Sequence, residues 1–428
     1  MYCSMIELVV HKRNLNRAYL QVYRNKGAAG IDKMSVKQLN AHFQAQGSTY
    51  VRQIREGKYQ AAPILGVFIP KANGKKRLLG IPTVTDRVFQ QALYQVLSPI
   101  FERSFQPHSY GFRPHRSAHQ ALQQSLEYIN NGYQDIVDID LKSFFDEVQH
   151  DILLQLIYSK VKCPLTLKLL RTFLRSPIQI DGKLQKRTKG VPQGSPLSPL
   201  LANIMLNELD KMLEKSGHRY IRYADDFSIY LKSKKAAQRV GNRIYKFLEN
   251  KLKLPINRDK SGIRRPSNFK VLGHSFVPTY RKNEKGKYQL VVRGKAWETF
   301  KQKLKQLTRK TLPMSFDQRI HEYKQLMRGW VNYFKMASIH SKLKKIDEWL
   351  RNRIRYCIWH DWKKPDRKRK NLIRLGVDPN MAYAWSRSRM GGWRIAQSPI
   401  LGTTITLKRL QARGYESLVD YYHHIRLK

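Results

Sequence analysis

Apolar positions along the chain repeat with two different periods. Residues 1 to about 60 read as helical, with Leu15, Ala18, Tyr19 and Val22 spaced for one face. The loop Asn25-Lys26-Gly27-Ala28-Ala29-Gly30-Ile31-Asp32 interrupts them; with no flanking strand, it is not a phosphate-binding loop. From Ala62 to Thr83 the pattern shortens to strands, with Val67, Ile69, Leu78 and Leu79 around the turn Ala72-Asn73-Gly74. A helix is predicted from Asp86 to Phe101, then a strand from Asp135 to Asp140 ahead of the pair Phe144-Phe145. Helices carry the chain on to a loop at Gly190 to Pro199. Two short strands meeting at Tyr223-Ala224-Asp225-Asp226 and a helix from Ala236 to Leu252 complete the middle. Strands and helices alternate without repeating βαβ units, which predicts an α+β fold.

After about residue 295 the pattern becomes helical, basic and tryptophan-rich. All 7 tryptophans lie there, and core packing accounts for most of them. Between Lys345 and Trp362, Ile346, Leu350, Ile354 and Ile358 form an apolar stripe, while Arg351 and Arg355 repeat on another face. That arginine row is a candidate nucleic-acid contact, because it adds charge to a chain that already carries far too much.

The formal net charge is +50 over 428 residues, with a pI near 10.3. Self-repulsion on that scale destabilises a compact state, and a polyanion relieves it. Nucleic acid is the leading partner. A membrane surface fits less well, since basic and aromatic residues are not gathered on one amphipathic segment and no apolar run approaches a span. Cys3, Cys163 and Cys357 are far apart and form no Cys-x-x-Cys pair, against a zinc ribbon or disulfide framework and consistent with a reducing compartment.

Tyr223-Ala224-Asp225-Asp226 carries the most chemistry. It places two carboxylates at the tip of a hairpin, an arrangement that is costly unless a cation sits between them. A solvated Asp-Asp turn would look the same, so its company decides. Asp140 ends an apolar strand well upstream. Two-metal phosphoryl transfer needs carboxylates from separate segments to converge, and hard oxygen ligands suit Mg²⁺. Asp138 and Asp140 point to the same face of their strand, and Asp146 is a third candidate, so periodicity leaves the choice open. The loop Gly190-Val191-Pro192-Gln193-Gly194-Ser195-Pro196-Leu197-Ser198-Pro199 leads into a good helix and sets a flexible glycine beside a polar glutamine, able to approach a nucleotide closely.

Asp140 with Phe145, the Gln193-Gly194 loop and Tyr223-Ala224-Asp225-Asp226 occur in the order of reverse-transcriptase palm motifs. Gly80-Ile81-Pro82-Thr83-Val84-Thr85-Asp86-Arg87, Ser109-Tyr110-Gly111-Phe112-Arg113-Pro114 and Gln193 to Asn203 resemble bacterial group II intron-encoded proteins. Arg328-Gly329-Trp330-Val331-Asn332-Tyr333-Phe334 resembles that family's maturase region. The resemblance implies a right-hand polymerase: an N-terminal extension (1–60), fingers with part of the palm (61–135), palm with inserted finger helices (136–290), a helical thumb or maturase domain (291–385) and a short basic DNA-binding-like segment (386–428).

It also implies metal ligation and catalysis by Asp140, Asp225 and, with a lesser role, Asp226, using two Mg²⁺ ions with Mn²⁺ as a substitute. The motif spacing then makes Phe145 the ring that collides with a ribose 2′-hydroxyl. Lys71 and Arg77 match positions that neutralise the incoming triphosphate, Gln193 and Gly194 line the nucleotide pocket, and Lys260 matches a residue near the leaving phosphates and a candidate general acid. Arg113 is a structural or template contact. Implied partners are an RNA template, a DNA primer, dNTPs and group II intron RNA, in the cytoplasm of a bacterium and without a membrane.

Two departures stand out. Residues 400–428 are too short and cysteine-free for the family's endonuclease, so an endonuclease-lacking form is expected, and Ser195 replaces a glycine common in the family, with a modest effect expected. Two other readings share these motifs: a splicing cofactor with dispensable polymerase activity, and a domesticated enzyme of DNA repair or spacer acquisition.

Overall fold

The computed structural model describes residues 4–70, 74, 76–280, 284 and 286–427. The chain divides into two compact units, Met1–Pro266 and Ser267–Lys428. Its strands are β1 (Ile64–Pro70), β2 (Lys76–Ile81), β3 (Asp135–Ile139), β4 (Ile178–Ile180), β5 (Lys183–Gln185), β6 (Arg219–Tyr223), β7 (Asp226–Leu231), β8 (Gly262–Arg264), β9 (Lys270–Val271), β10 (His274–Pro278) and β11 (Tyr288–Val292). Helices fill most of the rest, so the fold is α+β.

The first unit opens with helices Ser4–Val10, Lys12–Arg24 and Leu39–Arg55. Ala18 and Val22 are buried, as the helical spacing predicts. A buried carboxylate anchors this region to the chain that follows. Asp86 accepts from the Tyr59 hydroxyl at 2.7 Å, the Ala62 amide at 3.1 Å and the Thr83 hydroxyl at 2.9 Å. Thr83 in turn caps the helix Val84–Glu102 by accepting from the Asp86 amide. Burial pushes the Asp86 carboxyl up to about 6 despite those bonds.

β1 and β2 pair antiparallel, and β4 joins β1 in parallel with β5 outside it, giving the order β2-β1-β4-β5. Helices alone were expected between Phe145 and Gly190, so β4 and β5 correct that reading. Three-residue strands are too short to show a period of two; they exist because β4 finds β1 and because Asp181-Gly182 turns with positive φ.

A second four-stranded sheet, in the order β6-β7-β3-β8, is antiparallel throughout. Ile136, Val137, Ile139, Tyr220, Ile221, Phe227 and Ile229 are buried in it, and helices Ala118–Asn130, Ser198–Lys215 and Lys234–Lys246 pack on it. Register matters most here. Ile139 pairs with Phe227 and Tyr223 with Asp226. Asp140, one residue past Ile139, therefore ends its strand opposite Asp226.

In the second unit, β9, β10 and β11 form a three-stranded sheet that the hydrophobic pattern did not announce. Helices follow from Gly294 onward. Trp330 stacks on Phe300 at 4.4 Å and lies 4.5 Å from Trp297, while Trp359 and Trp362 are buried. The predicted stripe holds on the helix His340–Asp361, where Leu350, Ile354 and Ile358 are buried. On the same helix Asp347 is buried and accepts from the Tyr415 hydroxyl at 2.5 Å, the Ser417 hydroxyl at 2.8 Å and the Leu418 amide at 3.2 Å. No helix among the described residues is long and apolar enough to cross a membrane.

Candidate active site

The acid turn is built by β6 and β7, whose side chains are mostly buried, leaving Asp225 partly exposed and Asp226 exposed at the sheet end. Ala224 takes a left-handed conformation with φ 58°. The backbone of His108–Tyr110 runs alongside β6: the Arg222 amide donates to the His108 carbonyl at 3.0 Å, and the Tyr110 amide donates to the Arg222 carbonyl at 2.8 Å. A Cβ on Gly111 would lie 2.3 Å from the Ala224 nitrogen, so only glycine allows this approach.

The acids sense one another. Asp225 is raised above its ordinary range, first by desolvation and further by Asp140, while a backbone hydrogen bond, Arg77 and Arg222 oppose the rise. Asp226 is pushed up to about 6, first by desolvation and then by repulsion from Asp225, Asp140 and Asp138; Lys260 partly offsets this. Asp226 still reaches solvent, so like-charge crowding weighs more than burial in our reading. Asp140 accepts from Asn257 Nδ2 at 2.8 Å and faces Lys260 Nζ at 3.3 Å, and its amide donates to the Ser261 hydroxyl at 3.0 Å.

Asp138, left open by the strand periodicity, is held by Arg264 Nε on β8 at 2.8 Å. Both strand acids thus have a cationic neighbour, and register separates them: Asp138 pairs with Ser228, while Asp140 falls opposite Asp226. Asp146 sits off the strand in the short helix Phe144–Glu147 and acts electrostatically on Arg187.

Hard oxygen donors, mutual repulsion and raised carboxyls suit divalent cations. Among the described residues no group of three or more Asp, Glu, His or Cys side chains is already placed to hold a metal ion.

A cavity of about 440 Å³ is lined by Arg77, Leu79, Phe112, Phe145, Gln193 and Gly194, among others. Arg77 Nε hydrogen-bonds Gln193 Oε1, joining two residues far apart in sequence. The Gly80 amide donates to the Gln193 carbonyl at 2.9 Å. Gly194 has φ 121°, and a Cβ there would lie 2.7 Å from the Gly80 carbonyl oxygen. The Phe145 carbonyl accepts from the Val191 amide at 2.7 Å, tying its backbone to the loop, and its half-buried ring lines the cavity. Ser195 is buried and donates to Gln90 at 2.6 Å, so the hydroxyl that stands in place of a family glycine has a packed role.

Lys71 lies outside the described residues. Arg113 is turned inward: it bonds Glu102 at 2.7 and 2.9 Å and the carbonyls of Gln106 and Ser109. In the second unit, Arg351 pairs with Asp347 at 3.1 Å, and Arg355 bonds the Ile405 carbonyl at 3.0 Å and Asn352 at 2.8 Å. All three have partners within the protein. The sequence reading missed Asn257, Arg264 and Arg222. Arg222 carried a signal, since a charge inside the otherwise apolar strand Tyr220–Tyr223 needs a buried partner.

The fold is α+β, with sheets and helices in the first unit and mainly helices in the second. Residues 69–276 match the family described as reverse transcriptase (RNA-dependent DNA polymerase), and residues 297–376 match the group II intron, maturase-specific domain. The chain is 32% identical over 314 residues to Protein YkfC of Escherichia coli, covering 64% of this chain and 82% of that protein. It is 30% identical over 325 residues to the group II intron-encoded protein LtrA of Lactococcus lactis subsp. cremoris, covering 58% and 52%. It is 27% identical over 208 residues to the retron Mx65 reverse transcriptase of Myxococcus xanthus, covering 46% and 47%. The chain thus spans about half the length of the latter two relatives. It belongs to the group II intron family of reverse transcriptases with a maturase domain, and its enzyme class is RNA-directed DNA polymerase.

Proposed function

We propose that the chain copies RNA into DNA from a DNA primer and dNTPs at Asp140, Asp225 and Asp226, and binds group II intron RNA to assist splicing and mobility. One observation carries this reading: acids from two distant strands end opposite one another, with Asp140 helping to raise the carboxyls of Asp225 and Asp226, near a cavity where Arg77 meets Gln193. Two divalent ions, Mg²⁺ or in its place Mn²⁺, would activate the primer 3′-hydroxyl and neutralise charge at the leaving pyrophosphate. Asp140, Asp225 and Asp226 would hold them, with Asp140 turning away from Lys260.

Each remaining residue has a task. Arg77 faces the triphosphate, a task we also assign to Lys71. Gln193 and Gly194 let backbone approach the nucleotide, and the Phe145 ring excludes a 2′-hydroxyl. Lys260, beside Asp140, can supply a proton to the leaving phosphate. Fingers, palm and thumb take the spans given above, with 386–428 as a short nucleic-acid-binding segment. Arg113, Arg351 and Arg355 shape the surfaces that meet template and intron RNA. Lysine and arginine contacts to phosphate make that binding strongly salt-dependent. A bacterial cytoplasm is the setting we assign, since YkfC and LtrA come from bacteria. Primer extension on an RNA template with dNTPs and Mg²⁺ tests the reading: we expect extension by the wild type and none by Asp225→Asn. A folded, RNA-binding wild-type protein that fails to extend would overturn it.

A further inference from the structure

Arg222 sits on β6 immediately before the acid turn, and its side chain and that of Asp210 are both 0% exposed. Nε donates to the two Asp210 oxygens at 2.9 and 3.0 Å, and Nη2 reaches Oδ2 at 2.6 Å. That bidentate pair already satisfies the buried charge. The guanidinium has donors to spare, and all of them are used. Nη1 donates to Asn203 Oδ1 and to the Ala224 carbonyl, both at 2.9 Å, and Nη2 donates to the Ser109 hydroxyl at 2.7 Å. Asn203 Nδ2 continues to the Gly111 carbonyl at 2.9 Å.

The Ala224 carbonyl belongs to the peptide that enters Asp225. Ala224 is left-handed, a conformation that a Cβ disfavours and that surrounding structure must hold. Asp210 and Asn203 lie on the helix Ser198–Lys215, which begins where the Gln193–Gly194 loop ends. One guanidinium therefore spans the acid turn, the segment behind it and the helix that carries the nucleotide loop. A pair kept only to neutralise charge would need no bond to the turn.

We propose that Arg222 is a positioning residue of the polymerase site, whose fork fixes the Ala224 peptide and so aims the Asp225 carboxylate relative to the Gln193 loop. It touches neither substrate nor metal. This inference rests on the polymerase reading above, and its test separates the two. Arg222→Lys keeps a cation beside Asp210 but lacks a planar fork able to serve Ala224, Asn203 and Ser109 together. We expect kcat to fall by about tenfold or more through misplacement of the acid, while KM for dNTP and primer–template affinity move by less than about twofold. Mn²⁺ binding without substrate, read by electron paramagnetic resonance, should weaken several-fold. Adding Ala224→Gly to Arg222→Lys should restore part of both losses, because glycine adopts the turn without the clamp.

If Arg222→Lys does not unfold cooperatively, Asn203→Ala serves in its place with the same expectations. Wild-type kcat and Mn²⁺ affinity, alongside an inactive Asp225→Asn, would overturn the role of Arg222 and leave the polymerase reading intact. So would a parallel loss of kcat, nucleic-acid binding and thermal stability. An active Asp225→Asn would overturn the polymerase reading itself.

Discussion

Replacing Asp226 by Asn should stabilise the metal-free protein while abolishing its activity. In the absence of ions the Asp226 carboxyl rises from 3.8 to about 6, through desolvation and the nearby charges of Asp225, Asp140 and Asp138. At 1.36 kcal/mol per tenfold change, that rise amounts to about 3 kcal/mol against the ionised form at neutral pH. Asp226 reaches solvent, where screening weakens such terms, so about 1 kcal/mol is the more realistic gain from neutralising it. The sign follows from linkage. A carboxyl raised in the folded state destabilises that state while ionised, and the penalty disappears as pH falls through about 6 towards 4.

Calorimetry in EDTA should show the melting temperature of Asp226→Asn above wild type by about 2–4 °C at pH 7. The difference should shrink by pH 5, with Asp86, which titrates in the same region, contributing equally to both proteins. Adding Mg²⁺ should raise the wild-type melting temperature more than the variant's. A variant no more stable than wild type at pH 7 in EDTA would refute the idea that the three acids form one repelling cluster.

Other outcomes follow from the same geometry. Asp140→Asn should reduce primer extension by about a thousandfold or more, as loss of a charge-stabilising group does, with RNA affinity measured by filter binding unchanged. Phe145→Ala should admit ribonucleotides, lowering the dNTP:rNTP ratio of kcat/KM by about 10- to 200-fold; an unchanged ratio would remove Phe145 from sugar selection. Gly194→Ala places a Cβ 2.7 Å from the Gly80 carbonyl at a φ that side chains avoid, so kcat/KM for dNTP should drop by about tenfold or more through a displaced loop. Arg355→Ala should lower the melting temperature through its lost bond to Ile405, with the slope of log K against log salt for RNA binding changing by less than about one contact's worth.

Several features were legible without coordinates because they depend on local periodicity and chemistry. The face carrying Ala18 and Val22, the stripe Leu350-Ile354-Ile358 and the hairpin on either side of Ala224-Asp225 all came from spacing that one segment carries by itself. The +50 charge likewise pointed to a polyanionic partner. Motif order pointed to Asp140, Phe145, Gln193 and the acid turn, since this chemistry requires those residue types.

Where each charge finds its partner was decided only by the tertiary structure. Asp138 and Asp140 share a strand face, yet register on β8 gives Arg264 to Asp138, while the loop after residue 256 gives Asn257 and Lys260 to Asp140. Arg351 and Arg355 read as a nucleic-acid-contacting row, but packing of residues 405–418 turns part of their hydrogen bonding inward. β4 and β5 are too short to announce themselves and depend on pairing with β1, more than a hundred residues earlier in the chain. Periodicity fixes which side of an element is apolar. Ion pairs and strand register arise from contacts between segments, and only the folded chain brings those segments together.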